Sequence, residues 1–230
     1  PAVGDALVLE NALVRYRFDA AGRIVEAFDK RTQRQLLAAG AAGNAVSLYS
    51  DVPHAWGAWD IDEHYVEEKL ADAVLKPVVR RDGPVRSGLL LKGAVGDSEI
   101  TQEVWLTPQS ARLDFATEVE WKERRKMLRV AFPTNLVADN ATCEIQYGHV
   151  QRPTHRNTTW DTARFEVCAQ RWVDLSEADA GVALLNDSKY GHALRGGTLD
   201  LALLRGSVER AAARSEEHTS ELQSQFHLVC

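Results

Sequence analysis

Ile145–Arg205, IQYGHVQRPTHRNTTWDTARFEVCAQRWVDLSEADAGVALLNDSKYGHALRGGTLDLALLR, is the stretch on which the reading of the fold turns. It holds three short apolar, strand-like runs, Phe165–Cys168, Gly181–Leu185 and Leu199–Leu204. Between them lie loops dense in His, Arg, Asn, Asp, Trp, Tyr and Lys. Strands that carry polar loops at their ends are how a β protein builds a site for a polar ligand.

Toward the N-terminus the same grammar repeats. Residues 7–37 read as a β-hairpin whose turn is Asp19-Ala20-Ala21-Gly22, with Gly22 free to take positive φ and Ile24 and Ala27 or Phe28 turned inward. Residues 38–66, with two Trp and several acids around Pro53 and Gly57, read as irregular. Strand patterning resumes from Lys76 to Val104, broken by turn signals at Asp82-Gly83-Pro84 and Val95-Gly96-Asp97-Ser98. Ala111–Trp121 alternates, placing Leu113, Phe115, Thr117, Val119 and Trp121 on one face. Lys122–Lys126 is a charged turn into a further strand, MLRVAFPTNL. Leu36–Ala42 and Ser207–Ala213 are the two short helices the pattern allows. The expected class is therefore all-β, a large antiparallel sandwich.

The chain has 230 residues and a net charge of −6, a balance that argues against a nucleic-acid partner, since phosphate binding needs a basic face. No run of about 18 apolar residues offers a membrane span, and no signal peptide is visible at the N-terminus. Three cysteines, Cys143, Cys168 and Cys230, lie far apart without a CxxC pair, which argues against a cysteine-built zinc site and fits a reducing compartment. Cys168, inside a strand-like run, is expected to be a buried thiol. His149 and His155 lack a third ligand nearby and make a poor metal pair.

The runs QRPTHRNTTWDTARFEV, RWVDLSE, GVALLNDSKYG and LRG closely resemble the C-terminal β domain of glycoside hydrolase family 38, the zinc-dependent α-mannosidases, in its bacterial and cytosolic branch. The opening hairpin resembles the entry of that domain, so the resemblance spans roughly residues 7–205. It implies a galactose-mutarotase-like super-sandwich, truncated at its C-terminus, and a parent enzyme that hydrolyses terminal α-linked mannose with retention. The family's zinc ligands and nucleophile belong to an N-terminal catalytic domain, and nothing in this chain matches them. The resemblance thus implies no catalytic and no metal-binding residue here, zinc in the parent only, and a chain that is inactive alone. By the same reasoning the partners are mannosides or oligosaccharides and the missing catalytic domain, within a cytoplasmic enzyme that is not tied to a membrane; self-association of the parent is left open.

What the chain would supply is substrate positioning. HAWGAWDID resembles the family's WDAWDID loop, with Gly57 standing where that pattern has Asp, and contributes Trp59, Asp60 and Asp62. The segment after GVALL contributes Asp187, Lys189 and Tyr190 at a sheet rim. A Trp face suits sugar C–H groups and carboxylates accept hydroxyl hydrogen bonds. The competing structural readings are that Trp56 and Trp59 plug the sandwich, that Asn186-Asp187 is an Asx-type turn, and that Asp161 pairs with an Arg of its own loop. Residues 1–213 are taken as one incomplete sandwich domain. Residues 214–230, RSEEHTSELQSQFHLVC, shift abruptly in composition, resemble a translated sequencing-adaptor read-through, and are set apart as a non-native tail, with His218, His227 and Cys230 left out of any site. Two rival functions remain: a stand-alone carbohydrate-binding module, and a mutarotase-like enzyme pairing His149 or His192 with Asp187 or Glu166.

Overall fold

The computed structural model describes residues 7–206 and 220–230. A small sheet is formed by β1 (Val8–Glu10), β2 (Val14–Phe18), β3 (Ile24–Asp29) and β4 (Arg34–Gln35), in that order. Next in the chain come β5 (Ala45–Ser50), β6 (Lys69–Asp72), β7 (Val74–Asp82), β8 (Ser87–Val95), β9 (Ser98–Leu106), β10 (Arg112–Trp121) and β11 (Lys126–Pro133). They are followed by β12 (Asn140–Ile145), β13 (Gly148–Pro153), a one-turn helix α1 (Thr159–Ala163), β14 (Val167–Cys168), β15 (Trp172–Ser176), β16 (Gly181–Asn186), β17 (Gly191–Arg195), β18 (Thr198–Arg205) and β19 (Ser220–Val229). A nine-stranded sheet runs β13-β12-β15-β16-β19-β10-β9-β8-β7, and a six-stranded sheet runs β14-β17-β18-β11-β5-β6. All pairings are antiparallel, as an all-β sandwich requires.

Alternation builds the core. In β10 the five residues from Leu113 to Trp121 that share a face are all buried, while Arg112, Glu118 and Glu120 are exposed. Against them come Ile100 and Val104 of β9, and Leu128, Val130 and Phe132 of β11 from the opposite sheet. Phe115 stacks on Phe226 of β19 with ring centroids 4.7 Å apart, and Phe132 meets both edge-on at 5.9 and 6.1 Å, so three rings bridge the two large sheets. Thr117 shares the buried face because it has a partner: Gln102 Nε2 donates to its hydroxyl at 2.9 Å, and Asn44 Nδ2 donates to Gln102 Oε1 at 2.7 Å and to the Gly22 carbonyl at 3.0 Å. That buried polar chain ties the small sheet's turn to the nine-stranded sheet. Gly22 has φ +76°, and a Cβ there would lie 2.2 Å from the Leu75 carbonyl oxygen. Gly96 (φ +58°) likewise leaves room for the Glu123 carboxylate, which accepts from Asp97 N at 2.6 Å.

Several expectations are corrected. Leu36–Ala42 is not a helix: Leu36 and Leu37 are both buried, Leu37 bridges Thr134, and Leu36 N and Ala38 N donate across to Ala27 and Pro133. Tertiary pairing overrides the Leu/Ala helix propensity there. The expected helix at 207–213 lies outside the described residues. The stretch 38–66 contains a regular strand, β5, whose Val46 and Leu48 enter the core. Cys168 is exposed and Cys143 is the buried thiol, because β14 is an edge strand of only two residues whereas β12 lies inside its sheet. Apart from these corrections, Ser220–Val229, inside the segment set apart as a tail, forms β19, paired with β10 on one side and β16 on the other. Phe226 and Leu228 face inward, and His227 Nδ1 lies 2.5 Å from Asp114 on the outside.

Phe115→Ala is expected to remove about 3–5 kcal/mol of stability, since it opens a cavity between rings that bridge both sheets. Urea unfolding followed by tryptophan fluorescence measures it, and a loss under about 1 kcal/mol would show that the three-ring contact does not hold the sheets together.

Candidate functional site

The outer face of the six-stranded sheet, turned away from the apolar core, carries a buried ion-pair network. In β11, Leu128, Val130 and Phe132 point inward, so Met127, Arg129 and Ala131 point outward. Register sets Arg129 beside Ala202 and Ser47, and Asp200 beside Ala131 and Ala193. Small neighbours give the Arg129 side chain a floor to lie on. It is 1% exposed, with Nε 2.7 Å from Asp200 Oδ1 and Nη1 3.1 Å from Glu166 Oε1. Its guanidinium lies 5.2 Å from the Tyr65 ring centre, and the Tyr65 hydroxyl donates to Glu166. Tyr49 meets Tyr65 edge-on at 5.7 Å.

Burying this much charge is costly unless every group is paired. Burial works against the Arg129 cation, but Asp200 and Glu166 outweigh it and keep the guanidinium firmly protonated. Burial pushes the Glu166 carboxyl above its usual range, with Arg129 pulling it back only in part. Tyr65 is raised as well, first by burial and then by the neighbouring carboxylates against the pull of Arg129. Arg129, Asp200 and Tyr65 were not singled out from sequence. The available signal was a charge in phase with the outer face of an otherwise apolar strand, in MLRVAFP and TLDLALLR.

Two loops rise at one end of this sheet. Arg205, at the end of β18, grips the buried Asp51 through Nε and Nη2 (Nη2–Oδ1 2.8 Å) and also donates to the Asp60 carbonyl. That bidentate clamp fixes both ends of a turn in which Trp59 N and Asp60 N donate to the Trp56 carbonyl at 2.7 and 2.8 Å, with Trp56 at φ +55°. The indoles do not plug the sandwich: Trp56 is 73% and Trp59 81% exposed. Asp60 is exposed, its Oδ1 accepting from Ile61 N. Asp62 caps the short 3₁₀ turn Glu63–Glu67 by accepting from His64 N, and that turn delivers Tyr65 to the Arg129 network.

In the second loop Asn186 is buried and accepts from Lys189 N at 2.6 Å, so an Asx-type turn is present. Asp187 and Tyr190 stand exposed on it and Lys189 is half-buried. Because Gly191 begins β17 where β18 is ending, this loop and the Trp59 loop rise from the same end of the sheet, each tied down by its own hydrogen bonds. In the third loop Asp161 pairs with Thr158 in a capping box and lies 3.5 Å from His155, rather than meeting an Arg, while Arg152 donates to the Cys168 carbonyl at 2.9 Å. The His–carboxylate pairing of a mutarotase does not assemble. His149 is exposed, and strand alternation sends the fully buried His192 to the side opposite Arg129 and its carboxylates. His192 Nδ1 sits 3.2 Å from the Tyr190 carbonyl, and burial lowers its pKa to about 4. Among the described residues no three His, Cys, Asp or Glu side chains gather as a metal-holding group.

With that geometry in place, comparison with known proteins is decisive. The family model for the glycosyl hydrolases family 38 C-terminal domain matches residues 9–211. The chain belongs to glycosyl hydrolase family 38. It is 42% identical over 209 residues to alpha-mannosidase 2C1 of Mus musculus and of Homo sapiens, covering 87% of this chain and 20% of each relative. It is 40% identical over 210 residues to alpha-mannosidase G of Dictyostelium discoideum, covering 89% of this chain and 19% of that protein. The family 38 chain therefore spans about a fifth of the length of these relatives. An alpha-mannosidase crystal structure from Enterococcus faecalis V583 superposes with a TM-score of 0.79 at 17% identity, over 99% of this chain and 29% of that one, and shares the fold.

Two outcomes test the site's electrostatics. Arg129→Met, which strands two carboxylates, is expected to cost about 3–5 kcal/mol and to expose the 51–68 loop to limited proteolysis; a variant as stable and as protease-resistant as the parent would show that the network is dispensable. His192 has its folded pKa near 4 against 6.5 in the unfolded chain. The unfolded state therefore binds more protons between those values, and stability must fall as pH drops from 6.5 toward 4, by at most about 3 kcal/mol. His192→Gln should flatten that part of the stability–pH curve, and an unchanged slope would rule His192 out as its source.

Proposed function

We propose that this chain is the sugar-facing C-terminal domain of an α-mannosidase that is zinc-dependent and retaining, and that the zinc ligands and nucleophile lie in the part of the longer protein beyond this domain. The observation that carries the reading is the 42% identity to an alpha-mannosidase over nearly the whole of this chain. The proposed work of the domain is positioning. Trp59 offers an exposed indole face to sugar C–H groups, Asp60, Asp62 and Asp187 accept from hydroxyls, and Lys189 and Tyr190 donate. Retaining hydrolysis needs two carboxyl groups about 5–5.5 Å apart, one free to attack and one to shuttle a proton. Glu166 and Asp200 do not suit that work, since one guanidinium holds both.

A docking surface on the rest of the longer protein belongs to the same proposal. Leu70 of β6 and Val74, Val78 and Val79 of β7 are exposed on the edge strands of the two large sheets. Cytoplasmic location belongs to the same proposal, supported by the resemblance to the cytosolic branch and by three free cysteines. No helix among the described residues is long and apolar enough to cross a membrane.

The test uses the 230-residue chain with added zinc and an aryl α-mannoside. No turnover is expected, and clear turnover would overturn the division of labour. A parallel titration with methyl α-mannoside separates the rival: the domain reading expects no saturable sub-millimolar binding by this chain alone, and such binding would establish the binding module instead.

A further inference from the structure

The nine-stranded sheet consists of two halves joined by one strand. β13, β12, β15 and β16 form one half and β10, β9, β8 and β7 the other, and among the described residues the ladder between them runs through β19 alone. β19 pairs with β10 along its whole length, from Ser220 opposite Trp121 to Val229 opposite Arg112. On its other side only Phe226–Val229 are laddered, against Asn186 to Ala183 of β16. Without β19, β10 and β16 would each present a row of unpaired backbone donors and acceptors to one slot, and such edges are templates for strand addition.

The contacts that fix β19 are gathered at the end remote from its tether. Phe226 and Leu228 are buried, and Phe226 stacks on Phe115 at 4.7 Å. His227 Nδ1 lies 2.5 Å from Asp114 Oδ1. Just past the strand, Arg31 Nη2 donates to the Cys230 carbonyl at 2.9 Å, and the Cys230 thiol lies 3.1 Å from the Tyr16 hydroxyl. Ser220, at the tethered end, is laddered to β10 only. Phe226 stands about 20 Å further along, at about 3.3 Å per residue. Residues 206–219 separate β19 from β18, which ends at Arg205 in the other large sheet. A linker of that length can span at most about 45–50 Å. The anchoring residues of one copy can therefore reach a slot outside their own chain.

We propose that β19 is an exchangeable strand: the slot between β10 and β16 takes Ser220–Val229 of a second copy of this chain, and two copies complete each other's sheets reciprocally. Every copy carries the same slot and the same anchor, so the exchange is self-complementary and closes at two. Each exchanged strand regains the contacts it makes within its own chain, and concentration sets the balance between the two forms. A flexible tether holds its own strand at an effective concentration in the millimolar range, so the dimer forms when chains fold together at about that concentration. The proposal goes beyond the mannosidase reading and does not depend on it, since the slot lies in the nine-stranded sheet and the candidate site on the six-stranded one.

The test uses two variants of the 230-residue chain, Asp114→Cys and His227→Cys, each with Cys168→Ser to remove the exposed native thiol. Positions 114 and 227 are directly paired across β10 and β19, and the inward-facing Phe226 and Leu228 are left intact. The variants are mixed at about 1 mM, unfolded in urea and refolded together. Glutathione disulfide then oxidises the paired thiols, taking up two electrons and two protons and leaving as two molecules of glutathione. A disulfide-linked dimer containing one copy of each variant, identified by mass, is expected well above the baseline of either variant mixed with the parent. Adding Phe226→Ala to the His227→Cys chain is expected to lower its yield about tenfold or more, since the anchoring ring is lost. The double variant, with both cysteines in one chain, is expected to lock internally when folded at about a thousandth of that concentration. Absence of the mixed dimer beside a locked double variant would show that the strand stays with its own chain and overturn the proposal. A double variant that does not lock would overturn it as well, by showing that β19 does not occupy the slot.

Discussion

The buried cation of Arg129 is the constraint around which the candidate site is arranged. Its strand, β11, is interior to the six-stranded sheet, so its outward residues would form an exposed sheet face unless something covered them. A charge at that position must recruit acceptors. It draws Asp200 from the neighbouring strand, and Glu166 from the segment leading into β14. Glu166 in turn takes the Tyr65 hydroxyl, which brings the 51–68 loop down onto the sheet. One guanidinium thus fixes two loops distant in sequence. Arg205 repeats the device at the sheet's end by holding Asp51 and the Asp60 carbonyl. The exposed Trp56 and Trp59 can stand in solvent on an ordered loop because these two anchors, rather than burial of the indoles, pay its ordering entropy.

Much of the scaffold was legible because it depends on period and turn chemistry. Alternation in Ala111–Trp121 gave the buried face of β10, and Gly22 and Gly96 sit at positive φ where the turns were expected. What eluded the sequence depends on contacts between distant segments. Leu36–Ala42 has helical composition, yet Leu37 finds Thr134 a hundred residues away and the chain extends to meet it. Local pattern cannot say which aromatic residues are inside either. Tyr65 is buried and Trp59 is not, and the difference lies in whether a distant carboxylate is there to receive a hydroxyl. For the site, the polar loops were visible as clusters of residue type, but Arg129 and Asp200 were hidden in apolar strands, where a lone charge is easily passed over.

Composition and period also speak separately at Ser220–Val229. Its Ser, Glu and Gln content sets it apart from the preceding domain, and the family match stops at residue 211. A slot between two strands, however, asks little of its occupant beyond backbone donors and acceptors and apolar residues at every second position. Phe226 and Leu228 meet that demand on the inner face. The stacking of Phe226 on Phe115 then depends on shape at a single position rather than on the segment's overall character.

The way charge is distributed bears on what this face can do chemically. A nucleophile or a proton shuttle must have a lone pair or proton free to move, whereas Glu166 and Asp200 spend theirs on Arg129 and, for Glu166, on Tyr65 as well. Freeing either carboxylate would leave a buried guanidinium half-paired, a cost of several kcal/mol that a reaction step would have to carry. The network is therefore suited to rigidity rather than turnover. The exposed groups lie at its margin, in the indoles and carboxylates of the rim loops at one end of the sheet. The charged centre thus sets the positions of the loops around it rather than presenting a free group of its own.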